Sequence, residues 1–359
     1  MKSFRLLGFE CKKQFGSMTF LIILVVFTIF AVSQLTEIFH MPVKSEQDIQ
    51  ALDKSGERDY ILVENSEADF ISHSIRFLKQ RIKDNSIPQN VESELDIVFE
   101  MLESGTHSFD DILLMMQDDE TVFPWLMACK SQFTHKLGSI QEVNSMMRSA
   151  FGDAGYSPDL YEKYVTYMQI MSVLIIFPLF LFLITRDFRH NMYEIVYSQP
   201  MPSSKYIIVR YLGILIPLAI YLYAFGLLLN LISAARWVTA GYTYQYTAFF
   251  PYFITYLLPT VFFFSSLIMA LMLLFKKATA VFPIYIVLYL LTVTPRAFGI
   301  TGNWIWIVNP IIRLDREVGS MEQIVINRII YIVLGVIFIA ISCGIYQRLS
   351  HDLRKQVTI

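Results

Sequence analysis

The chain is short of charge. Asp, Glu, Lys and Arg make up 17% of its 359 residues, where a soluble domain carries about a quarter. Glycine and proline are also few, at 15 and 13, which excludes a collagen-like or low-complexity chain. The three cysteines, Cys11, Cys129 and Cys343, fall in three different segments. They make no C-x-x-C pair for zinc or redox chemistry and no even-numbered disulfide framework. The sequence has no G-x-x-x-x-G-K-[ST] phosphate cradle, no G-x-S-x-G elbow and no H-E-x-x-H zinc pair. It therefore lacks the usual marks of an NTPase, a serine hydrolase or a zinc protease, and no catalytic residue is assigned. A net charge of −2 gives no reason to expect nucleic acid as a partner.

What is present is apolar. Hydrophobic residues make up 55% of the chain, with 29 Phe and 20 Tyr, and mean hydropathy is +0.48, which rules out disorder. A spanning helix needs roughly 20 apolar residues, and six runs qualify: 17–35, 164–185, 206–235, 249–275, 278–294 and 324–346. Most are apolar on every face, unlike the one-sided stripe of a soluble helix. Pro178, Pro217, Pro251, Pro259 and Pro283 lie inside them, as membrane helices tolerate when neighbours satisfy the freed carbonyls. The apolar core of the sixth run begins after Arg328, which is counted among the bases of the outer loops.

Charge is distributed unevenly along the chain. Residues 37–165 hold 24 of the 31 acids but 11 of the 29 bases, a net of −13, and the rest of the chain carries +11. With the N-terminus inside, 13 bases fall in cytoplasmic positions and 5 in the short outer loops, the asymmetry of the positive-inside rule. The expected protein is an all-α multi-pass protein of the cell membrane, with both termini cytoplasmic. Its parts are a cytoplasmic interfacial helix over 1–16, a first transmembrane helix over 17–36, retained as an anchor, and a mostly helical extracytoplasmic domain over 37–163. A membrane domain over 164–359 holds transmembrane helices two to six.

In the outer block, Ile71, Ile75, Leu78 and Ile82 recur at helical spacing, as do Val91, Leu95, Val98 and Leu102, and then Ile112 and Met116. Ser157-Pro158-Asp159 reads as an N-cap, a first-turn proline and an acid at the positive end of a helix dipole. That helix is expected to run through Tyr161 and Tyr164 into the second span. His107, Asp110, Asp111, Asp118, Asp119, Glu120 and His135 match no metal-loop spacing and are read as a solvated acidic face. Within the spans, Ser172, Asn230, Ser265 and Ser266 are the few polar groups that could line a path. Helix-to-helix hydrogen bonding is the alternative reading for each.

The segment 186–210 carries the most information. Tyr193, Val196 and Tyr197 share one face at three-to-four spacing, Pro200 and Pro202 end that helix, and Ser203-Ser204 can cap the next. The pattern E-x-x-x-S-x-P-x-x-x-x-K, as Glu194, Ser198, Pro200 and Lys205, resembles the coupling-helix loop of ABC transporter permeases of the type-2 exporter class. The segment 4–15 resembles that class's interfacial helix, and Asn309-Pro310, after Trp304 and Trp306, resembles its outer re-entrant region. The likeness covers the membrane part, about two thirds of the chain. An outer block of about 129 residues departs from the many members whose first outer loop is short.

The resemblance implies a permease subunit of an ATP-driven exporter, moving a hydrophobic or amphipathic cargo such as a peptide, an antibiotic or a lipid-like molecule. It implies partner cytoplasmic ABC ATPase subunits that hold ATP and Mg, with no cofactor bound by this chain, and a second permease, identical or similar. ATPase coupling would fall to Asp187, Arg189, Tyr193, Glu194, Tyr197, Ser198, Pro200 and Lys205. The alternative function is a membrane sensor whose outer domain detects a ligand and signals through the cytoplasmic loop.

Overall fold

The computed structural model describes residues 2–189, 202–300, 302, 304–314 and 319–357. The chain divides into two compact units, one formed by residues 1–39 and 153–359 and the other by 40–152. Residues 37–39 and 153–163, placed in the outer block from sequence, group with the apolar helices.

The first unit opens with α1 (Lys2–Phe15) and α2 (Met18–Gln34), which meet at 61°. The break falls at Gly16-Ser17, where Ser17 takes extended dihedrals and so interrupts the helical ladder. α1 exposes Phe4 and Phe9 and lies against the later helix α10, where the Cβ of Glu10 is 2.8 Å from the site of a Cβ on Gly213. After the second unit the chain enters α9 (Ser157–Arg189). The expected continuous helix into the second span is observed, but Ser157 does not cap it. Its hydroxyl donates back to the Ala154 carbonyl, and Leu160 N–H already bonds the Tyr156 carbonyl, so the helix begins one residue earlier than the cap reading requires.

α10 (Ser203–Thr239) follows. A short turn, Phe249–Tyr252, and a π-helical turn, Phe253–Leu257, then lead into α11 (Leu258–Phe275). α12 (Ala278–Val293) and α13 (Met321–Val357) complete the unit. Among the described residues, four helical stretches are long and apolar enough to cross a membrane: Ser157–Phe182, Ser204–Thr239, Tyr246–Phe275 and Met321–Leu349. Counting the bent α1–α2 pair as one span gives five, and α12 is apolar but shorter.

Tyrosine hydroxyls tie these helices together by donating to backbone carbonyls on neighbours. Tyr285 reaches Val173 O at 2.6 Å, Tyr211 reaches Phe262 O at 3.0 Å, and Tyr164 reaches Leu222 O. An apolar solvent leaves such carbonyls no water to bond, so each bond made inside the bundle matters more. Close approach is set by Gly226, where a Cβ would lie 2.2 Å from Phe249 Cζ and 2.9 Å from Tyr164 Cε1.

The second unit is a small helical body. α3 (Glu46–Ser55), α4 (Glu67–Lys83), α5 (Gln89–Ser104), α6 (Phe109–Met115), α7 (Phe123–Phe133) and α8 (Ile140–Phe151) supply it. Leu78, Val91, Leu95, Val98, Leu102, Ile112, Leu126 and Cys129 form the core, with Ile71, Ile75, Ile82 and Met116 packed against it. Ser45, Ser108 and Ser139 each form a capping box with the acid three residues on, the reciprocal pattern that satisfies two orphan N–H groups. Sequence periodicity gives no strand here, yet β1 (Leu62–Glu64) pairs antiparallel with β2 (His135–Leu137). Three residues are too few to show a period of two.

Candidate functional site

The expected coupling region lies mostly outside the described residues: Tyr193, Glu194, Tyr197, Ser198 and Pro200 all do. Asp187 and Arg189 fall in the last turns of α9. Lys205 lies half-buried in the first turn of α10. That first turn is braced by the far end of α13. Tyr206 stacks on Tyr346 with centroids 5.0 Å apart and planes 18° apart, and Arg210 lies over the Tyr206 ring at 5.3 Å. A guanidinium on a tyrosine face is a favourable electrostatic contact.

The four polar groups read as path candidates are all buried, and each has a hydrogen-bond partner. Ser172 donates to Gln169 O at 3.2 Å, and Ser266 donates to Phe263 O at 2.7 Å, both within their own helices. The Ser265 hydroxyl meets the Tyr211 hydroxyl at 2.8 Å, and Asn230 Oδ1 accepts from Tyr161 at 3.1 Å. Ser265 and Ser266 are neighbours on α11; Ser172 lies on α9 and Asn230 on α10.

Sequence reading missed the richest polar cluster, which is built around residues 305–314. This segment makes one short turn, Ile305–Val308, and then runs irregularly through Asn309-Pro310. Its backbone groups find their partners on three helices. From α13, Asn327 Nδ2 donates to Ile307 O at 3.0 Å and Asn309 O at 2.7 Å, and Tyr331 donates to Val308 O. From α9, Gln169 makes a reciprocal amide pair with Ile312, Nε2 to the carbonyl at 3.0 Å and Oε1 from the N–H at 3.2 Å. Thr166 Oγ1 accepts from Leu314 N–H at 3.0 Å. From α11, the Thr260 hydroxyl is 2.8 Å from Pro310 O, 3.0 Å from Gln169 Oε1 and 3.1 Å from Tyr256 O. One proton cannot serve three acceptors at once.

Arg328 supplies the missing donors. Its Nη1, with two N–H groups, lies 2.9 Å from Thr260 Oγ1, 3.2 Å from Pro310 O and 3.3 Å from Tyr256 O, so one N–H is shared between two acceptors, and its guanidinium sits 5.8 Å from the Tyr256 ring centre. The Tyr256 carbonyl belongs to the π-turn that leads into α11. Arg328 is only 5% exposed. This corrects its reading as an outer-loop base: it lies seven residues inside α13 and holds the irregular segment from within. Irregular backbone buried among helices needs partners for its N–H and C=O groups, and side chains of α9, α11 and α13 supply them here. The sequence signal was available in Asn327-Arg328, a polar pair inside an apolar run, where ionisable residues mark function by default.

In the second unit the acids act as caps and pairs. Asp111 accepts from Ser108 N–H and hydroxyl, and Asp119 accepts from Thr121 and from Val122 N–H. Asp110 pairs with Lys130 at 2.7 Å. Among the described residues no group of three His, Cys, Asp or Glu could hold a metal ion. Cys129 is buried in the core, and burial pushes its thiol up to about 11. No family model, curated protein or solved structure matches the chain.

Proposed function

We propose that the chain is the transmembrane permease subunit of an ATP-driven ABC exporter of the type-2 class. In this reading it has six spans, with α2 and α12 each crossing, both termini in the cytoplasm and residues 37–163 outside. Energy comes from ATP and Mg held by a separate ATPase subunit, and the subunit works beside a second permease, identical or similar. The cargo class is hydrophobic or amphipathic.

The observation that carries the reading is α1. A helix with exposed Phe4 and Phe9 turns by 61° at Gly16-Ser17 before an apolar helix and packs through Glu10 on Gly213 of α10. An amphipathic helix of this kind lies in the membrane interface. It rests on the helix that begins where the coupling loop ends, so a force on that loop has a short mechanical route to α10, α13 and the segment held by Arg328. The irregular segment at Asn309-Pro310, held by three helices, fits an outer re-entrant region.

The test is co-purification. The wild-type chain, tagged and purified from the cells that naturally make it, should bring down nucleotide-hydrolysing activity. Glu194→Lys reverses charge on the proposed contact and should cut that recovery at least several-fold with membrane insertion unchanged. Equal recovery of the ATPase with both proteins would sink the assignment.

A further inference from the structure

Arg328 has an edge that its neighbours do not use. Nη1 carries all three of its hydrogen bonds, while Nε and Nη2 are buried with no partner. Among the described residues no carboxylate pairs with it. A guanidinium stays charged in a protein, and a buried charge without a counter-charge is costly. The unused pair matters because Nε–H and the adjacent Nη2–H point the same way, the fork that takes a carboxylate or phosphate with two parallel bonds.

The position of Arg328 on α13 says from where such an anion comes. At about 100° per residue, Ile324 and Tyr331 lie to one side of Arg328 and are buried, while Val325 and Ile332 lie to the other and are exposed. Ile329 and Val336 continue that exposed stripe. Only 28% of the most apolar stretch of this helix is buried in the chain. Arg328 therefore sits between the buried and the exposed flank of α13, and its free edge, enclosed in this conformation, must rotate toward the exposed flank to meet an anion.

We propose that the Nε–Nη2 edge of Arg328 binds the anionic head group, phosphate or carboxylate, of a membrane amphiphile whose tail lies along Val325, Ile329, Ile332 and Val336. The site does not depend on the chain being a permease. A bilayer phospholipid and an amphiphilic cargo share this chemistry, and so does a free anion without a tail.

The experiment uses the full chain in a neutral detergent, with dodecyl phosphate as probe, dodecanol as the uncharged control and inorganic phosphate as the tail-less control. Dodecyl phosphate should bind saturably and dodecanol should not. Arg328→Lys keeps the charge but loses the fork, and with it the second of two parallel bonds, and should weaken binding about tenfold. Arg328→Gln should abolish binding. Failure of inorganic phosphate to compete assigns the site to an amphiphile. Competition by inorganic phosphate at equal concentration would overturn the tail half of the proposal. Binding unchanged in Arg328→Lys, or no saturable binding to wild type, would overturn the whole. The wild-type and lysine arms decide the matter even where the glutamine variant does not fold. Because no ATPase is present, the outcome is separate from the co-purification test.

Discussion

Lys163 Nζ lies 2.7 Å from Glu37 Oε1, and the Glu37 side chain is fully enclosed while Lys163 is 15% exposed. Tyr156 donates to the same Glu37 oxygen at 2.9 Å. The pair joins the residues just before the second unit to the helix that starts just after it. Breaking a buried pair leaves an uncompensated charge and costs about 3–5 kcal/mol, whereas replacing both partners with apolar groups is often close to neutral. Lys163→Met should therefore lower the thermal midpoint strongly, and Glu37→Leu/Lys163→Met should recover much of the loss. Thermal unfolding of the full chain in mild detergent reads this directly. A double variant no more stable than Lys163→Met would show that the pair is not what holds this corner.

Helix existence was legible because it rests on composition and short-range pattern. The apolar runs and the 3.6 spacing of Val91, Leu95, Val98 and Leu102 need no tertiary knowledge, and the structure buries that whole stripe. Capping is local too, yet the boxes at Ser108–Asp111 and Ser139–Glu142 were passed over, and the N-cap read at Ser157 does not cap α9. The polar cluster around Pro310 was not legible, because its members come from α9, α11 and α13 and their sequence separations reach 148 residues. Arg328 was misplaced for a related reason. A run of apolar residues was trimmed at its first charge, although a charge can be buried when distant carbonyls are waiting for it. β1 and β2 escaped because a three-residue strand owes its existence to its partner.

The second unit should lose stability in acid through three named carboxylates. Hydrogen bonds from Ser108 hold Asp111 below the ordinary value of 3.8, those from Thr121 and Val122 do the same for Asp119, and those from Ser139 hold Glu142 below 4.5. A carboxyl whose folded value is depressed binds fewer protons folded than unfolded. Its contribution is complete above the unfolded value and is lost as pH falls through the folded one. Protection of α6 and α8 amides, corrected for intrinsic exchange, should hold from pH 7 to about 5 and fall below about 4. Asp111→Asn should lower protection at pH 7 and flatten the acid slope in α6 alone. An unaltered slope in that variant would mean that the capping carboxylate is not responsible.

The sidedness of the chain can be read by thiol labelling, because the native cysteine in the second unit is silent. Cys129 is enclosed by the core and its thiol is pushed up to about 11 by burial. The thiolate is the reactive form, so at neutral pH almost none is present and access is blocked as well. Asp59 lies exposed in the second unit, and Lys277 lies exposed between α11 and α12. In intact cells a membrane-impermeant maleimide should label Asp59→Cys fully and Lys277→Cys only after the membrane is opened. Cys11 and Cys343 give the background, measured in the unsubstituted chain. Labelling of Lys277→Cys in sealed cells would reverse the inside and the outside of the protein. It would also remove the cytoplasmic placement of the loop before α10, and with it the route by which an ATPase could act.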